Sequence, residues 1–321
     1  MSHTHTEGPE TFADRVRAIP GGEHLEMCYS CGTCVSKCMI QQKIEPDYNP
    51  RRLLRMVMMG MEKEAFASPT TWHCSECDLC YVACPQEIHI SGVIGAVRQL
   101  AIDAGYESPL ETVTVDEAKC SGCGICVMVC PYEAPHLVDK EVDGEMDRFS
   151  EVDPNICRGC GTCVAACPLG AVARPGVGNE DIVKQIKVKR QPKGVPRLVT
   201  FVCDWCLRAD DDVGLLESYP DNVRVIHIPC TGRIDPEMAL MALRSRIDGV
   251  LVCGCAPGEC HYKRGTYVSQ CKISLLNTML GQMNVGDGRV RFVQIGTQDR
   301  GRIRNEVDGM LEHLTAYKEA R

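Results

Sequence analysis

Apolar and polar positions follow two alternating patterns in the C-terminal part of the chain. Four short stretches rich in valine, isoleucine and leucine have the pattern of buried strands, at 198–202, 223–228, 250–253 and 290–295. Between and after them, apolar residues recur at helical spacing, which predicts helices over 235–246, 268–282 and 302–318. Strands that alternate with helices indicate a small parallel α/β sheet.

The earlier part of the chain has a different pattern. Asn49-Pro50 has the N-cap and first-position proline of a helix, and the apolar spacing predicts that this helix continues over 51–66. Ser91 is expected to cap a further apolar helix. Within 138–153, two short alternating stretches flank Asp143-Gly144, which predicts a β-hairpin.

These patterns predict an α+β multi-domain chain. We expect a flexible tail over 1–22, a helical two-cluster module over 23–105, a compact ferredoxin module over 106–175, a basic linker over 176–197 and an α/β parallel-sheet domain over 198–321. The linker's cations form either a solvated tether or a docking strip for an acidic partner; they are Lys184, Lys187, Lys189, Arg190, Lys193 and Arg197.

Composition and charge exclude several classes of protein. The formal net charge of −8 disfavours a nucleic-acid or anionic-membrane binder. The chain has no uncharged apolar run of about 18 residues, and Met1–Glu10 lacks the apolar core of a signal peptide. We therefore expect a soluble, cytoplasmic protein without a membrane span. In such a reducing compartment, 23 cysteines among 321 residues indicate metal or redox chemistry rather than disulfides.

Sixteen cysteines form four copies of the run Cys-x2-Cys-x2-Cys-x3-Cys, beginning at Cys28, Cys74, Cys120 and Cys157. This is the bacterial ferredoxin run, in which three cysteines bind one 4Fe–4S cluster and the fourth binds the neighbouring cluster. Glycines between the ligands, such as Gly122 and Gly161, suit a tight wrap because glycine accepts positive φ values. A structural zinc site does not need this run, so zinc and disulfides are the weaker interpretations.

Pairing neighbouring runs predicts four 4Fe–4S clusters. Their predicted ligand sets are Cys28, Cys31, Cys34 and Cys84; Cys74, Cys77, Cys80 and Cys38; Cys120, Cys123, Cys126 and Cys167; and Cys157, Cys160, Cys163 and Cys130.

Five further cysteines follow the carboxyl ends of predicted strands, where α/β sheets assemble their sites. They are Cys203, Cys206, Cys230, Cys255 and Cys260. Four thiolates suffice for a 2Fe–2S cluster, and the sequence does not show which of the five is spare. Zinc, a redox dithiol at Cys203 and Cys206, and a Rieske-type ligand at His261 are the alternatives.

We also infer roles for three other residues of this region. Cys253 and Cys271 are expected to be buried core thiols. Arg233, three residues after Cys230, either offsets thiolate charge or lies on the surface.

Two parts of the chain resemble known families. Cys28-Tyr-Ser-Cys-Gly-Thr-Cys, Tyr48-Asn-Pro-Arg-Arg-Leu-Leu-Arg-Met and Cys84-Pro-Gln-Glu-Ile resemble the C subunit of heterodisulfide reductase over about 25–105. Phe201-Val-Cys-Asp-Trp-Cys, Cys230-Thr-Gly-Arg-Ile-Asp-Pro-Glu and Gly249-Val-Leu-Val-Cys-Gly-Cys-Ala-Pro-Gly-Glu-Cys-His-Tyr resemble the delta subunit of methyl-viologen-reducing hydrogenase over about 198–320. The middle module, 106–175, matches only the generic pattern of a two-cluster ferredoxin.

The resemblance implies a 2Fe–2S subunit that docks on the flavin-bearing A subunit of a heterodisulfide reductase-like, often electron-bifurcating, complex of anaerobic metabolism. The implied electron donor is a hydrogenase, a formate dehydrogenase or an NADH-oxidising subunit, and a protein similar to the B subunit of heterodisulfide reductase is a further candidate partner.

The sequence favours a non-catalytic electron-transfer subunit. It contains no Gly-x-Gly-x-x-Gly after a strand, no His-Glu-x-x-His and no P-loop. Two alternatives remain open, namely a thiol–disulfide enzyme that uses the C-terminal cysteines and an iron–sulfur scaffold or storage protein.

Overall fold

The computed structural model describes residues 10–142, 144–189, 191–206, 219–285, 288–296, 299 and 301–319. The first nine residues of the predicted tail, Asp143 of the predicted hairpin and Arg190 of the predicted linker lie outside the described residues. The chain divides into two compact units, Met1–Leu110 and Glu111–Arg321. The predicted ferredoxin and α/β modules therefore belong to one unit.

The first unit is helical. Its helices are α1 (Phe12–Ala18), α2 (Thr33–Ser36), α3 (Met39–Lys43), α4 (Pro50–Met58), α5 (Glu62–Ala67), α6 (Pro69–His73), α7 (Leu79–Val82) and α8 (Ile90–Asp103). Helices α1, α4, α5 and α6 pack on α8, whose apolar face carries the fully buried Val93, Ile94 and Val97. This packing positions the two cysteine runs of the unit.

Two details of the first unit differ from the sequence prediction. The single helix expected over 51–66 is two helices, because Gly60 has a left-handed φ of +69° and its amide bonds back to Val57, which ends α4. The predicted N-cap is correct, since the Asn49 side chain accepts from the Arg52 amide at 3.0 Å. Ser91 is not a cap: it lies inside α8, and its hydroxyl donates to Asp78.

The second unit begins with the compact cysteine-rich part. Strands β1 (Thr114–Val115) and β4 (Val172–Ala173) pair antiparallel, and β2 (Pro135–Val142) with β3 (Glu145–Val152) forms the predicted hairpin. Helices α9 (Ile125–Val129) and α10 (Thr162–Ala166) pack on each other, and α11 (Asn179–Gln185) follows.

The second unit then forms a four-stranded parallel sheet in the order β6-β5-β7-β8. Its strands are β5 (Leu198–Cys203), β6 (Val223–Ile228), β7 (Gly249–Cys255) and β8 (Val290–Ile295). Every residue of the central strands β5 and β7 is buried. Helices α12 (Pro236–Arg244), α13 (Gly265–Gln282) and α14 (Arg302–Glu319) accompany the sheet. The predicted parallel sheet is confirmed.

The strand order creates a switch point at the carboxyl edge of this sheet. The chain continues from β5 to β6 on one side, whereas β7 and β8 lie on the other side of β5. Loops from β5 and β7 therefore diverge and leave a crevice, which is where open α/β sheets place their sites. No described helix combines the length and the apolar character needed to cross a membrane.

Candidate metal centres

The predicted ligand cysteines lie in five thiol groups. The first group is Cys28, Cys31, Cys34 and Cys84; the second Cys74, Cys77, Cys80 and Cys38; the third Cys120, Cys123, Cys126 and Cys167; the fourth Cys157, Cys160, Cys163 and Cys130; and the fifth Cys203, Cys206, Cys230, Cys255 and Cys260. In the first four groups, three thiols come from one run and the fourth from its neighbour. This grouping has the pairing that the sequence predicts, and cluster binding by these thiols stays a prediction.

The first thiol group lines a small pocket together with apolar side chains such as Ile88 and Ile90. Left-handed φ values at Ser30 (+63°) and Gly32 (+83°) curl the run around this pocket. Cys31 is exposed, and a hydrogen bond with the Thr33 hydroxyl lowers the pKa of its thiol. This group therefore faces solvent through one of its thiols.

The second thiol group is more enclosed. Burial raises the pKa of Cys77 to about 12 and raises that of Cys74, whose thiol is hydrogen-bonded to the buried Tyr48 hydroxyl. Arg98 holds the run in place from α8, since its guanidinium donates to the Cys74 carbonyl at 2.8 Å and to Glu76 at 3.0 Å. Tyr48 begins one of the motifs quoted in the sequence analysis, but that motif did not indicate a contact with Cys74, and Arg98 lies in no motif at all.

The third thiol group lines a small pocket together with apolar side chains such as Ile125 and Leu169. Gly122 (φ +61°) supports the wrap, and no larger residue fits there because a Cβ would overlap the Arg148 carbonyl. The Cys126 thiol donates to the Ser150 hydroxyl of β3 at 3.1 Å, whereas Cys123 is exposed. The third group therefore resembles the first in having one thiol open to solvent.

The fourth thiol group is the most enclosed of the four runs, since Cys157, Cys160 and Cys163 are all buried. Burial raises the pKa of each of these three thiols, because a thiolate loses its hydration in an apolar site. Arg174, which follows this run in the sequence, donates to the Gly159 carbonyl within the run.

These four donor sets fit 4Fe–4S clusters. In the second and fourth groups, burial makes most of the thiols reluctant to ionise in the free state. Such thiols become favourable ligands when iron compensates the thiolate charge, which couples metal binding to folding. Among the described residues, no three His, Cys, Asp or Glu side chains are arranged around a single metal ion. A cubane is several atoms across and holds its cysteines further apart than one ion does.

The fifth thiol group lies at the sheet's switch point. Cys203 ends β5 and Cys255 ends β7, and their sulfur atoms are 3.8 Å apart. Two thiolates on one tetrahedral metal with bonds of about 2.3 Å lie about 3.8 Å apart, so this pair suits one metal of a 2Fe–2S cluster or a zinc ion. The Cys206 thiol donates to the Cys203 carbonyl at 3.2 Å and is also hydrogen-bonded to the Cys203 side chain, which places it beside this pair.

The remaining thiols of the fifth group extend this contact. Cys260 is hydrogen-bonded to Cys230 and Cys255, and these bonds hold the pKa of Cys260 well below its ordinary range. The hydrogen bond with Cys260 raises the pKa of Cys230, and hydrogen bonds with Cys203 and Cys260 raise that of Cys255. The neighbouring thiols share protons and do not all ionise together. Four of the five are buried, so this donor set also fits an iron-bound state.

The structure decides the interpretations of three nearby residues and adds a contact of a fourth. Cys253 is fully buried, as expected, but Cys271 is exposed on α13, so its prediction as a core thiol is wrong. Periodicity alone could not orient α13, which has exposed apolar residues along much of its length. Arg233 is fully buried, which excludes the surface alternative. His261 stacks on Trp205 with ring centroids 3.3 Å apart, an aromatic contact that the sequence analysis missed.

The chain matches families of iron–sulfur proteins along most of its length. Residues 198–317 match the family described as methyl-viologen-reducing hydrogenase, delta subunit. Residues 24–88, 73–134 and 119–171 match 4Fe–4S dicluster domains. The match over 73–134 joins the second and third runs, whereas the thiol groups combine the first run with the second and the third with the fourth.

Three relatives cover different parts of the chain. The chain is 36% identical over 128 residues to the iron-sulfur D subunit of the F420-non-reducing hydrogenase of Archaeoglobus profundus, which is 38% of this chain and 93% of that protein. It is 33% identical over 98 residues to the C subunit of the H(2):CoB-CoM heterodisulfide,ferredoxin reductase of Methanothermobacter marburgensis, or 30% of this chain and 51% of that protein. It is 34% identical over 238 residues to the A subunit of the Ferredoxin:CoB-CoM heterodisulfide reductase of Methanosarcina mazei.

The match to this A subunit adds a finding that the motifs did not contain. It covers 72% of this chain, so it necessarily includes the middle ferredoxin module, to which the sequence analysis assigned no specific family. The chain spans only 29% of the length of that relative. With three overlapping 4Fe–4S dicluster matches preceding the C-terminal match, the chain belongs to the methyl-viologen-reducing hydrogenase delta-subunit family of iron–sulfur proteins.

Proposed function

We propose that this chain is an electron-transfer subunit that binds four 4Fe–4S clusters and one 2Fe–2S cluster. The observation that carries the proposal is the convergence of 21 cysteines into five separate thiol groups, each assembled from segments distant in sequence. Clusters of these two types supply one-electron transfer over a wide range of potentials.

The chain's own residues would bind the clusters and control their access to water. The enclosed second and fourth groups suit internal positions, since burial excludes solvent from them. The first and third groups each have an exposed thiol, Cys31 and Cys123, and suit exchange with other proteins. Exposed apolar side chains lie in or next to the same runs, namely Tyr29 two residues before Cys31 and Met128 five residues after Cys123.

The proposed partners rest on the resemblance seen in the sequence, and the relatives support part of them. We propose that the chain accepts electrons from a hydrogenase, a formate dehydrogenase or an NADH-oxidising subunit. It would deliver them to the flavin-bearing A subunit of a heterodisulfide reductase-like complex, with electron bifurcation as the proposed setting. Support comes from relatives named as the D subunit of a hydrogenase and as the A and C subunits of heterodisulfide reductases.

Anaerobic purification followed by iron, sulfide and zinc analysis tests the cofactor content. We expect about 18 iron atoms per chain, from four cubanes and one two-iron cluster. About 16 iron atoms with one zinc would place zinc in the fifth group instead. An iron-free chain would refute the proposal.

A thiol–disulfide enzyme is the alternative, and one observation favours it. Cys260 is only partly buried and its pKa is well below the ordinary thiol value, which is typical of a reactive cysteine. Alkylation of the cluster-replete protein distinguishes the two functions. Iron-bound cysteines are protected, so we expect little modification at Cys260, whereas rapid modification at full iron content would support the enzyme.

A further inference from the structure

Arg233 is a buried cation at the contact between the fourth and fifth thiol groups. It ends a short 3-10 turn, Thr231–Arg233, which directly follows Cys230, and none of its surface is exposed. Its Nε donates to the Val177 carbonyl and one terminal nitrogen donates to the Asn179 side-chain oxygen, both at 2.7 Å. The other terminal nitrogen, Nη1, is buried and has no hydrogen-bond partner among the residues that the structure describes.

The stem of this arginine lies against the fourth cysteine run. A Cβ added to Gly161, which stands between Cys160 and Cys163, would come within 2.8 Å of Arg233 Cδ. Gly161 has φ +78°, so both its backbone conformation and the approach of the arginine require glycine. The guanidinium is also close enough to Cys163 for the two charges to interact, since a thiolate at Cys163 favours the protonated form of Arg233.

The same turn contacts the fifth thiol group. A Cβ at Gly232 would meet the Thr162 hydroxyl at 2.7 Å and Gly265 Cα at 3.0 Å, so the turn fits closely between the fourth run and the start of α13. Cys230 and Cys160 are near enough to act on each other electrostatically. The fourth and fifth groups are therefore neighbours, with Arg233 beside both.

The charges around Arg233 do not neutralise it directly. Asp235 and Asp181 act on it at a distance, and Lys272, which donates to the Gly232 and Ile234 carbonyls, adds a second cation. Burial lowers the pKa of Arg233 to about 10, so it remains charged at neutral pH. A buried cation with an unsatisfied donor is costly unless an anion lies nearby. A 4Fe–4S cluster with four thiolates is such an anion.

We propose that Arg233 is a positioning residue that raises the midpoint potential of the 4Fe–4S cluster bound by the fourth thiol group and holds that group in register with the fifth. The inference rests on the proposed function, because it requires a cluster at the fourth group. Reduction adds negative charge to a cluster, and a fixed cation close to it stabilises the reduced form. The contacts with Val177 and Asn179 fix the distance over which this charge acts.

Redox titration of the anaerobically purified full chain, followed by electron paramagnetic resonance, tests this assignment. Arg233→Gln is expected to shift the midpoint potential of one 4Fe–4S signal to a more negative value, with iron content unchanged. Arg233→Lys, which retains the charge, is expected to restore most of the potential. A Cys160→Ser variant identifies which signal belongs to the fourth group.

Arg289→Gln is the matched control. Arg289 donates to three backbone carbonyls at the opposite, amino end of β7, but contacts none of the five thiol groups. The control is expected to leave all potentials unchanged. Full iron content with an unshifted potential in Arg233→Gln, or an equal shift in Arg289→Gln, would overturn the inference.

A second variant covers the case in which Arg233→Gln does not retain its clusters. Asn179→Ala removes one anchor of the guanidinium but leaves its charge, and we expect a smaller negative shift of the same signal. An unchanged potential in Asn179→Ala would then overturn the inference. A wild-type chain without any 4Fe–4S signal would instead refute the proposed function itself.

Discussion

Gly265→Ala should abolish the fifth centre while leaving the first four intact. Gly265 begins α13, and a Cβ at this position would overlap the sulfur atom of Cys230. Non-bonded contacts need about 3.5–4 Å, so the sulfur would have to move by more than about 1 Å. Metal–ligand distances tolerate only about 0.2 Å. Cys230 would consequently lose its place in the ligand set.

The effect on stability has two opposing contributions. Alanine at a helical position gains roughly 0.5–1 kcal/mol over glycine, whereas overpacking of a filled site costs about 1–3 kcal/mol. The expected net change is therefore a modest destabilisation of about 1–2 kcal/mol, too small to unfold a domain of ordinary stability. The substitution should therefore remove the cluster while the domain stays folded.

The assay compares the visible circular dichroism and the iron content of Gly265→Ala with those of wild type, both purified anaerobically. We expect loss of the 2Fe–2S bands and of about two iron atoms. Gly309→Ala in α14 is the matched control, since a Cβ there meets nothing within 4 Å. It should keep every cluster and gain up to about 1 kcal/mol. A full 2Fe–2S signal in Gly265→Ala would refute the assignment of Cys230 as a ligand.

Three further substitutions have defined outcomes. Cys255→Ser should remove the 2Fe–2S spectrum but keep the 4Fe–4S signals, whereas Cys253→Ala, in the same strand but outside the thiol group, should keep both. Arg98→Met should destabilise the first unit by about 3 kcal/mol in anaerobic chemical denaturation, because two buried carbonyls lose charged donors; the exposed Arg55→Met should change little. Asn49→Ala removes an observed N-cap bond and should cost about 1 kcal/mol in the same assay, and an unchanged midpoint would contradict the capping argument.

Sequence patterns predicted a structural feature correctly wherever that feature depends on residues that are close together in the chain. The Asn49 cap depends on one side chain and one nearby amide, and the hairpin around Gly144 depends on alternation over a few residues. In the cysteine runs, the residues that curl the backbone lie within the run itself, since Gly32 and Gly161 have left-handed φ values. Local patterns failed where distant packing decides, as at Cys271, which α13 leaves exposed.

The sequence by itself determined the four cysteine runs, the parallel strands and the set of cysteines that follow them, because each of these depends on the spacing of residues along the chain. Only the tertiary structure decided that Cys203 and Cys255 meet at a switch point, and that the Cys230 turn inserts beside the fourth run. Only the tertiary structure also buried Arg233 between two thiol groups. Strand order and the packing of one module on another depend on contacts between segments far apart in the chain, and no local pattern records them.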